Sequence, residues 1–587
     1  MRTRSRLPTW FLVLLLPFLT APSTPAQEQA PLPAELAPCI DPVQTAAGLV
    51  QGDADLETGT CVWKGVPYAA PPVGPRRWRP PQSPEPWDGV RAAREFAPRC
   101  MQKGAMELIN HDPSGEMSED CLTLNIWRKA TGGPYPVFVW IHGGALSGGT
   151  ANTPMYHGGR LAARGGLVVV SINYRLNIFG FFASPALRDE DAEGMVGNYG
   201  LLDQIAALEW IQENIAAFGG DPSRVTIAGE SAGGWSVCNL LATPLAAGLF
   251  HGAIIESGGC HDATTLERGF EVSAEAAGRL ELDLNDLEAL RAIPAKKLLR
   301  KGVQWENKGI KWLPRIDGVV LTAQPIDLLM SGAYNQVPLL AGANRDEAHD
   351  TVFLDPFQFF HGRKRYQKRL RKMFGADEGS KIASLYDRDT FDHTIDAYRK
   401  VATDVALLCP TMGGARAVAS HQPDVWLYRF DYDDFRFGST VGACHGMEIP
   451  FVFGTFDAWP MRPFYSRRRI REAESLADTI MGYWIAFAHQ GDPNSPGALP
   501  WPPLSEGNQF MRFDETSSVE ALDAQTLARC DYWQAYAEAN PWIVETLGFL
   551  QGAPEQPHPE GGADEQGTTH SNHGGSGRGS DAHPNPG

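Results

Sequence analysis

The sequence predicts an α/β fold with a large, mainly parallel central sheet and helices on both of its faces. Residues 137–141 and 167–172 are short apolar runs rich in β-branched side chains, which is typical of strands buried on both faces. Between residues 201 and 218 the apolar side chains recur at helical spacing instead. Further short strands are expected at residues 225–228 and 253–256. Strands that alternate with helices in this way indicate a parallel sheet.

The composition limits what kind of protein this chain can be. Of its 587 residues, 43% are hydrophobic and 10% aromatic, so it can bury a large core and is not disordered as a whole. Its 69 Asp and Glu exceed its 51 Lys and Arg, which gives a net charge of −18. A general nucleic-acid binder is therefore not expected, because phosphate neutralisation needs a basic surface. Nine cysteines are enough for several bridges in an oxidising compartment.

The first 26 residues have the pattern of a secretory signal peptide. Arg2, Arg4 and Arg6 precede a short apolar run, and small residues follow at 24–26, where a signal peptidase would cleave. The alternative is an N-terminal membrane anchor, but the run is shorter than the roughly 20 apolar residues that cross a bilayer. We therefore expect a secreted or periplasmic protein with no stable membrane anchor after cleavage.

One domain is expected after the signal peptide, at residues 27–551, and it includes an antiparallel hairpin at residues 49–66. Residues 552–587 differ in composition, because they contain no Leu, Ile, Val, Phe, Trp or Tyr and are rich in Gly, Pro, Ser and His. Such a segment cannot bury enough apolar surface to offset the entropy cost of ordering. We expect a disordered tail there rather than a metal-binding segment, since its histidines are irregularly spaced.

A G-x-S-x-G motif lies between the strand expected at 225–228 and a helical run that ends near Leu241. It reads Gly229-Glu230-Ser231-Ala232-Gly233. In this context the motif predicts a sharp strand-to-helix turn that exposes the Ser231 hydroxyl as a nucleophile. The backbone N–H of Ala232 and the positive end of the helix would then face a developing oxyanion.

A glycine-rich loop follows the strand expected at 137–141. It reads His142-Gly143-Gly144-Ala145-Leu146-Ser147-Gly148-Gly149. Such a loop can hold phosphate, but a P-loop would continue into Lys and Ser or Thr, and this one does not. Upstream of a G-x-S-x-G elbow, a loop of this type supplies the remaining oxyanion-hole amides of α/β-hydrolases. The two motifs occur in the chain order that this machinery requires.

These two motifs belong to a longer ordered set. The set includes Gly65-Val66-Pro67-Tyr68-Ala69, Ser118-Glu119-Asp120-Cys121-Leu122, Asn173-Tyr174-Arg175, Gly200-Leu201-Leu202-Asp203-Gln204 and Phe218-Gly219-Gly220-Asp221-Pro222. With this set, residues 45–540 resemble the type-B carboxylesterase/lipase family, which includes cholinesterases and bacterial para-nitrobenzyl esterases. The resemblance implies an α/β-hydrolase fold and a serine hydrolase that cleaves carboxylic esters through an acyl-enzyme.

The resemblance also implies the remaining members of a catalytic triad. The acidic residue of the family matches Glu347, which is followed by Ala348 in place of the usual glycine, and its histidine matches His445. Asp346 is the rival for the acid. Ser231 would be the nucleophile, His445 the general base, and Glu347 the residue that orients the imidazole.

An oxyanion hole would be formed by the backbone N–H groups of Gly144, Ala145 and Ala232, and such a mechanism needs no metal or organic cofactor. The expected partner is a small-molecule ester. A choline-type cation site is not expected, because the loop at 101–120 contains no Trp or Tyr. Two alternatives remain. An interfacial lipase would need an apolar lid, and a non-catalytic adhesion module on the same fold would be expected to lack a triad residue.

Six of the cysteines are assigned to three bridges. The resemblance implies the pairs Cys100–Cys121 and Cys409–Cys530. A third bridge is expected between Cys39 and Cys61, because these residues flank part of the N-terminal hairpin region. Each bridge would stabilise the domain by restricting the unfolded chain.

The other three cysteines are Cys238, Cys260 and Cys444. Cys238 lies in the helix after Ser231 and is expected to be a small buried hydrophobic residue. Cys260 and Cys444 follow segments that are expected to approach the active site from the same side. We therefore predict a Cys260–Cys444 bridge that anchors the loop of His445, provided that the two Cα atoms are within reach. The alternative is two unrelated thiols, one of them packed under the loop.

Overall fold

A computed structural model of the chain describes residues 32–103, 114–303, 312–349 and 362–540. The signal peptide expected at 1–26 and the tail expected at 552–587 both lie outside these described residues. Within them, no helix is long and apolar enough to cross a membrane.

The centre of the fold is an 11-stranded sheet. Along the sheet the strands are ordered β18 (Ser518–Ala521), β17 (Gln509–Phe513), β16 (Val425–Phe430), β15 (Leu339–Asn344), β12 (Gly252–Glu256), β11 (Gly220–Glu230), β9 (Tyr135–Ile141), β10 (Val168–Ile172), β8 (Thr123–Lys129), β4 (Thr60–Pro67) and β3 (Asp53–Asp55). All neighbours from β17 to β10 are parallel. Antiparallel pairs complete both edges. The predicted fold class is confirmed.

The N-terminal hairpin is shorter than the sequence predicts. It consists of β3 and β4 alone, whereas Leu49–Gln51 belongs to a separate three-stranded sheet. The chain changes sheets at Gly52, where a Cβ atom would overlap the carbonyl oxygen of Val62 and lie 2.7 Å from the Trp63 ring. The remaining short strands are β1 (Val43–Gln44), β2 (Leu49–Gln51) and β5 (Val90–Ala92) in that small sheet, β6 (Arg99–Cys100) with β7 (Met117–Ser118), and β13 (Thr264–Thr265) with β14 (Arg315–Ile316).

Helices connect the parallel strands, as the alternating pattern predicts. They are α1 (Gly159–Gly165), α2 (Asn177–Phe181), α3 (Pro185–Glu190), α4 (Tyr199–Asn214), α5 (Ala232–Ala242), α6 (Leu266–Leu280), α7 (Leu287–Ala292), α8 (Ala295–Gly302), α9 (Pro325–Ser331), α10 (Arg363–Phe374), α11 (Ala376–Leu385), α12 (Thr394–Thr403), α13 (Cys409–Ala419), α14 (Gly438–Val441), α15 (Ile449–Phe453), α16 (Arg467–Gln490) and α17 (Ala524–Ala539). A π-helical turn, Asp404–Leu408, joins α12 to α13. Short 3-10 segments are Ala34–Ile40, Gly74–Arg76, Pro154–Tyr156, Ile215–Phe218, Pro244–Ala246 and Arg388–Thr390.

Each face of the sheet carries its own hydrophobic core. Along β9, Val137, Val139 and Ile141 belong to one core, and Phe138 and Trp140 belong to the other. This division follows from the two-residue period of a strand, which sends alternate side chains to opposite faces. The first core includes buried residues of α4 and α5, and the second includes those of α16. Burial on both faces explains why the central strands are continuous apolar runs.

Four disulfides are present, and three of them are the pairs expected from the sequence. These are Cys39–Cys61, Cys100–Cys121 and Cys409–Cys530. The fourth corrects the prediction, because Cys260 is bonded to Cys238 and not to Cys444.

The reason for the unexpected pairing is the close approach of α5 to the chain after β12. A Cβ atom on Gly234 would lie 2.9 Å from the Gly258 Cα, so the two backbones are in direct contact there. Cys238 is one helical turn beyond Gly234 and Cys260 is two residues beyond Gly258, which brings their Cα atoms to 5.3 Å. Cys444 is a buried thiol.

Candidate active site

Ser231 lies at the turn between β11 and α5. Its backbone has φ 59° and ψ −123°, a conformation that residues with a side chain rarely adopt. The Ser231 N–H donates to the Glu256 carbonyl at 2.9 Å, and the Ser231 carbonyl accepts from the Trp235 N–H at 3.0 Å. These two bonds hold the strained strand-to-helix turn that the motif predicts.

The two glycines of the motif are required by close packing. A Cβ atom on Gly229 would lie 2.5 Å from the backbone of Gly233, and one on Gly233 would overlap the carbonyl oxygen of Ile141. Because of this packing, α5 begins directly against the end of β9. Ser231 is thereby placed beside the oxyanion loop, which we define as residues 142–149. A Cβ atom on Gly143 would lie 3.0 Å from the Ser231 Cβ.

The oxyanion loop has an unusual backbone that leaves amide groups available. Gly144 and Ala145 both have positive φ angles, of 110° and 55°. Among the residues that the structure describes, no carbonyl or side chain accepts a hydrogen bond from the N–H groups of Gly144, Ala145 or Ala232. Three unengaged N–H groups, one of them at the first residue of α5, are what a developing oxyanion would require.

Uncharged groups support the oxyanion loop from outside. The buried Gln102 side chain accepts from the Gly149 N–H at 2.9 Å and donates to the Gly149 carbonyl at 2.8 Å. At the other end of the loop, the Tyr174 hydroxyl donates to the His142 carbonyl at 2.8 Å, and the two rings stack 4.5 Å apart. Burial lowers the pKa of His142 to about 4, so this ring is neutral at physiological pH.

His445 contacts the acid that the resemblance implies. Its Nδ1 lies 2.7 Å from Glu347 Oε2. The other oxygen, Glu347 Oε1, accepts from the Ser257 hydroxyl at 2.5 Å and from the Asn344 N–H at 2.6 Å. Glu347 is 2% exposed. A buried carboxylate held by two donors on one oxygen presents the other oxygen to the imidazole in a fixed position.

Asp346, the rival acid, does not reach His445. Its carboxylate lies 2.7 Å from the Arg345 guanidinium and accepts from the Ala443 N–H at 3.0 Å. Asp346 therefore secures the start of the histidine loop, which we define as residues 442–448. The backbone of Gly442 passes so close that a Cβ atom there would overlap the Asp346 carboxylate.

The second nitrogen of His445 faces a carboxylate that the sequence analysis does not assign. His445 Nε2 lies 3.1 Å from Glu230 Oε1, and it makes no hydrogen bond with Ser231 Oγ among the described residues. Glu230 is buried, and a Cβ atom on Gly143 would lie 2.9 Å from its other oxygen. The imidazole thus lies between two carboxylates, and Glu230 is directly adjacent to the serine that His445 would activate.

Further buried carboxylates make the histidine side of the site strongly charged. Burial by itself lowers the pKa of His445, but the charges of Glu230, Glu347 and Glu448 outweigh it and hold that pKa well above its usual value. The pKa of Glu448 is raised well above its usual value by burial and by Glu230 and Glu347. Burial also raises the pKa of Glu256 to about 8. Proton binding on this side is therefore shared among several interacting groups.

Most of the chain matches one protein family. The carboxylesterase family model matches residues 41–533. This chain belongs to the carboxylesterase family. Carboxylesterases are enzymes that hydrolyse carboxylic esters. Within the described residues, no group of three or more His, Cys, Asp or Glu side chains is arranged to hold a metal ion.

Individual carboxylesterases resemble this chain over most of its length. Para-nitrobenzyl esterase of Bacillus subtilis (strain 168) is 37% identical over 490 residues, which cover 82% of this chain and 95% of that protein. Cocaine esterase of Homo sapiens is 35% identical, with 86% and 90% covered. A crystal structure of a Geobacillus stearothermophilus carboxylesterase has a TM-score of 0.72 and 35% identity, and covers 84% of this chain and 100% of that one.

The site combines predicted residues with others that sequence reasoning missed. Glu347 and His445 are in contact, and Ser231, Gly144, Ala145 and Ala232 surround the elbow. The missed residues are Gln102, Glu230, Ser257, Asn344 and Glu448. Glu230 and Glu448 belong to the motifs around Ser231 and His445, so the sequence places them near the site. Only the fold shows that their carboxyl groups are buried together.

Proposed function

We propose that this carboxylesterase cleaves esters through an acyl-enzyme on Ser231, with His445 as general base and Glu347 as the residue that orients it. The observation that carries the proposal is the 2.7 Å contact between His445 Nδ1 and the buried Glu347 carboxylate. A carboxylate on Nδ1 favours the tautomer whose Nε2 can accept a proton, and it stabilises the imidazolium that forms.

In the proposed first half-reaction, Ser231 Oγ bonds to the carbonyl carbon of the ester while His445 Nε2 accepts the hydroxyl proton. The carbonyl oxygen becomes an oxyanion, and the N–H groups of Gly144, Ala145 and Ala232 donate to it. The C–O bond to the alcohol then breaks, and His445 returns the proton to the departing oxygen. Water attacks the acyl-enzyme by the same route, which releases the carboxylic acid and restores Ser231.

The contact between His445 and Glu230 defines the proposed resting state. With Nε2 against Glu230 Oε1, the imidazole is held beside the nucleophile without being bonded to it. The catalytic cycle begins when the shared proton stays on the Glu230 carboxyl group and the unprotonated Nε2 turns from Glu230 to Ser231 Oγ. This change is small, because Glu230 and Ser231 are consecutive residues that both border Gly143.

The proposed location is outside the cytoplasm. Four disulfides are present, and bridges of this kind persist in oxidising compartments. The N-terminal pattern supports the same location, as a secreted or periplasmic protein.

Replacement of Ser231 tests the proposed nucleophile. The Ser231→Ala variant should lose hydrolysis of a simple aryl ester by about 10⁴-fold or more, because the triad acts as one unit. It should also fail to react with a fluorophosphonate probe, which labels activated serines, while its melting temperature stays close to that of the parent. Retention of probe labelling in the folded variant would contradict the proposal.

Two neighbouring carboxylates provide a matched pair that tests the acid. Glu347→Gln should lower kcat by about 10³–10⁴-fold, since the neutral amide favours the wrong imidazole tautomer. Asp346→Asn should lower kcat by less than about tenfold, because Asp346 contacts the loop and not the imidazole. Both values come from steady-state hydrolysis of one aryl ester. A larger loss in Asp346→Asn than in Glu347→Gln would assign the acid to Asp346.

A further inference from the structure

Helix α10 is strongly basic although the protein as a whole is acidic. It carries seven Lys and Arg side chains and no Asp or Glu. Its buried side is apolar and consists of Tyr366, Leu370, Met373 and Phe374. Three exposed lysines are four residues apart on the side that points away from these residues, so they form a row, and we call this row the lysine face: Lys364, Lys368 and Lys372.

The lysine face has no counter-charge among the described residues. No described carboxylate pairs with any of its three lysines. The acids of the neighbouring α11 act on another cation, since Glu378 accepts from Lys381 at 2.6 Å and Asp377 also raises the pKa of Lys381. Lysines four residues apart on a helix repel one another. The first turn of α10 adds to this cost, because it contains no acid and Gly362 offers no capping side chain.

The C-terminal end of α10 adjoins the point where the chain leaves the described structure. The centroid of the Phe374 ring lies 5.5 Å from that of Trp533 and 5.9 Å from that of Tyr536, both in α17. Asn540 is the last described residue, and its side chain donates to the Tyr536 carbonyl at 2.8 Å. The chain that follows therefore starts beside the end of α10 that carries Lys372.

The sequence that follows is complementary in charge to the lysine face. Residues 545–565, which we call the acidic segment, contain no Lys or Arg, and their five acids are Glu545, Glu555, Glu560, Asp564 and Glu565. Fifteen residues lead from Asn540 to Glu555, and a chain of this length spans up to about 50 Å. The lysine face is about 12 Å long, since its end members are eight residues apart in a helix. The acids are therefore within reach of every lysine of the face.

We propose that the acidic segment binds the lysine face of α10 within the same chain. Its carboxylates lie against the lysine ammonium groups, and the covalent connection at Asn540 keeps the segment at a high local concentration. Attraction between exposed charges needs no fixed fold, so it agrees with a composition that cannot build a core. The contact does not depend on the proposed ester mechanism, because α10 contributes no residue to the triad or the oxyanion hole.

Zero-length crosslinking with a carbodiimide tests this contact in the whole protein. The reagent joins a carboxyl group to a lysine amine that touches it, and mass spectrometry of the tryptic peptides identifies each pair. We expect links from the acidic segment to the lysine face in about 20 mM salt, and a yield lower by about fivefold or more in about 500 mM salt, because exposed charges are screened. A mixture of unlabelled and isotope-labelled protein separates links within a chain from links between copies. Links mainly between copies, or none to the lysine face, would contradict the proposal.

Helix α8 provides a matched control surface. Its exposed lysines are Lys296, Lys297 and Lys301, and the last two are also four residues apart. This helix packs on α6, where Arg279 donates to the carbonyls of Lys301 and Gly302 at 3.1 and 2.7 Å. Links from the acidic segment to α8 should be about fivefold rarer than links to α10, because only a nearby surface gains from the tether. Equal frequencies would mean that the segment meets any lysine-rich surface, and the proposal would be wrong.

Competition with an external polyanion measures the same contact by a second route. The probe is fluorescein-labelled heparin at low salt, and two sets of substitutions are combined. One set removes the acids, as Glu545→Gln, Glu555→Gln, Glu560→Gln, Asp564→Asn and Glu565→Gln. The other set removes the face, as Lys364→Gln, Lys368→Gln and Lys372→Gln. The three lysines are exposed and bond no described carboxylate, so their replacement should leave the melting temperature and ester hydrolysis unchanged.

The two sets should not act independently. Removal of the acids should tighten heparin binding by about fivefold or more when the lysine face is intact, because the face is then uncovered. When the three lysines are also replaced, the same removal should tighten binding by less than about twofold. Equal tightening in both backgrounds would reveal only a general change of net charge. No tightening in either background would show that the face is open to external polyanions, and either result would overturn the proposal.

Discussion

The oxyanion loop and the histidine loop both border Glu230, but they are held by different kinds of interaction. Uncharged groups hold the oxyanion loop, chiefly the amide of Gln102 and the hydroxyl of Tyr174. Carboxyl groups hold the histidine loop, where Asp346, Glu347 and Glu230 contact its backbone and its imidazole. Neutral hydrogen bonds do not titrate near neutral pH, whereas a histidine among carboxylates does. Loosening the neutral half should therefore lower the rate without moving the pH profile, whereas the charges of the other half should set how activity depends on pH.

The largest effect that separates the two halves is expected from Gln102. In Gln102→Ala, both bonds to Gly149 are lost, so the amides of the oxyanion loop move away from the position of the oxyanion. We expect kcat to fall by about 10- to 100-fold, in the range of a misplaced or missing donor. The pH at which activity is half-maximal on the acid side should stay the same.

A control for this variant is Gln82→Ala, since Gln82 is exposed and, among the residues that the structure describes, bonds only through its backbone. It should leave both the rate and the pH profile unchanged. If Gln102→Ala shifts the pH profile instead of lowering its plateau, the division between a neutral half and a charged half is wrong.

An intermediate effect is expected from Glu230, and it should appear in the pH profile. Hydrolysis needs neutral His445, so activity falls as pH drops below the pKa of His445. The charge of Glu230 raises that pKa, and therefore places the acid limb of kcat/KM above pH 6.5. Glu230→Gln removes the charge, so the limb should move to lower pH.

The matched control for Glu230 is Glu256→Gln, which changes a buried carboxyl group that is not among the largest influences on the pKa of His445. Its acid limb should move by less than that of Glu230→Gln. Equal shifts in the two variants would show that the buried carboxyl groups around His445 act together. Glu230 would then have no special influence on the pKa of His445.

The smallest effect is expected from Ser257. Ser257→Ala removes one of the two donors to Glu347 Oε1, while the Asn344 N–H remains. We expect kcat/KM to fall by a few-fold, since the second donor still positions the carboxylate. The measurement is steady-state hydrolysis next to Ser236→Ala, which removes a buried hydroxyl one turn into α5 that bonds Gln204. A loss as large as that of Glu347→Gln would show that the Ser257 hydroxyl alone orients the acid.

Much of the fold and of the candidate site was predictable from sequence because both depend on local patterns. Continuous apolar runs predicted the parallel strands, and the G-x-S-x-G motif predicted the turn at Ser231. Gln102 was not predictable, because its bonds to Gly149 join residues 47 positions apart and leave no periodic signal. The pairing of Cys238 with Cys260 depends on the contact between Gly234 and Gly258, which becomes visible only when α5 has been packed.

Cys444 provides a built-in reporter of motion in the histidine loop. It is a buried thiol immediately before His445, and the other eight cysteines are in disulfides. A thiol reagent can reach it only when the loop opens or the domain unfolds, so without reductant the protein has a single site of alkylation. When reclosing is faster than alkylation, the observed rate gives the free energy of opening beside the catalytic base. Comparison of this alkylation rate with and without an acyl group on Ser231 would show how much the acyl-enzyme stabilises the closed histidine loop.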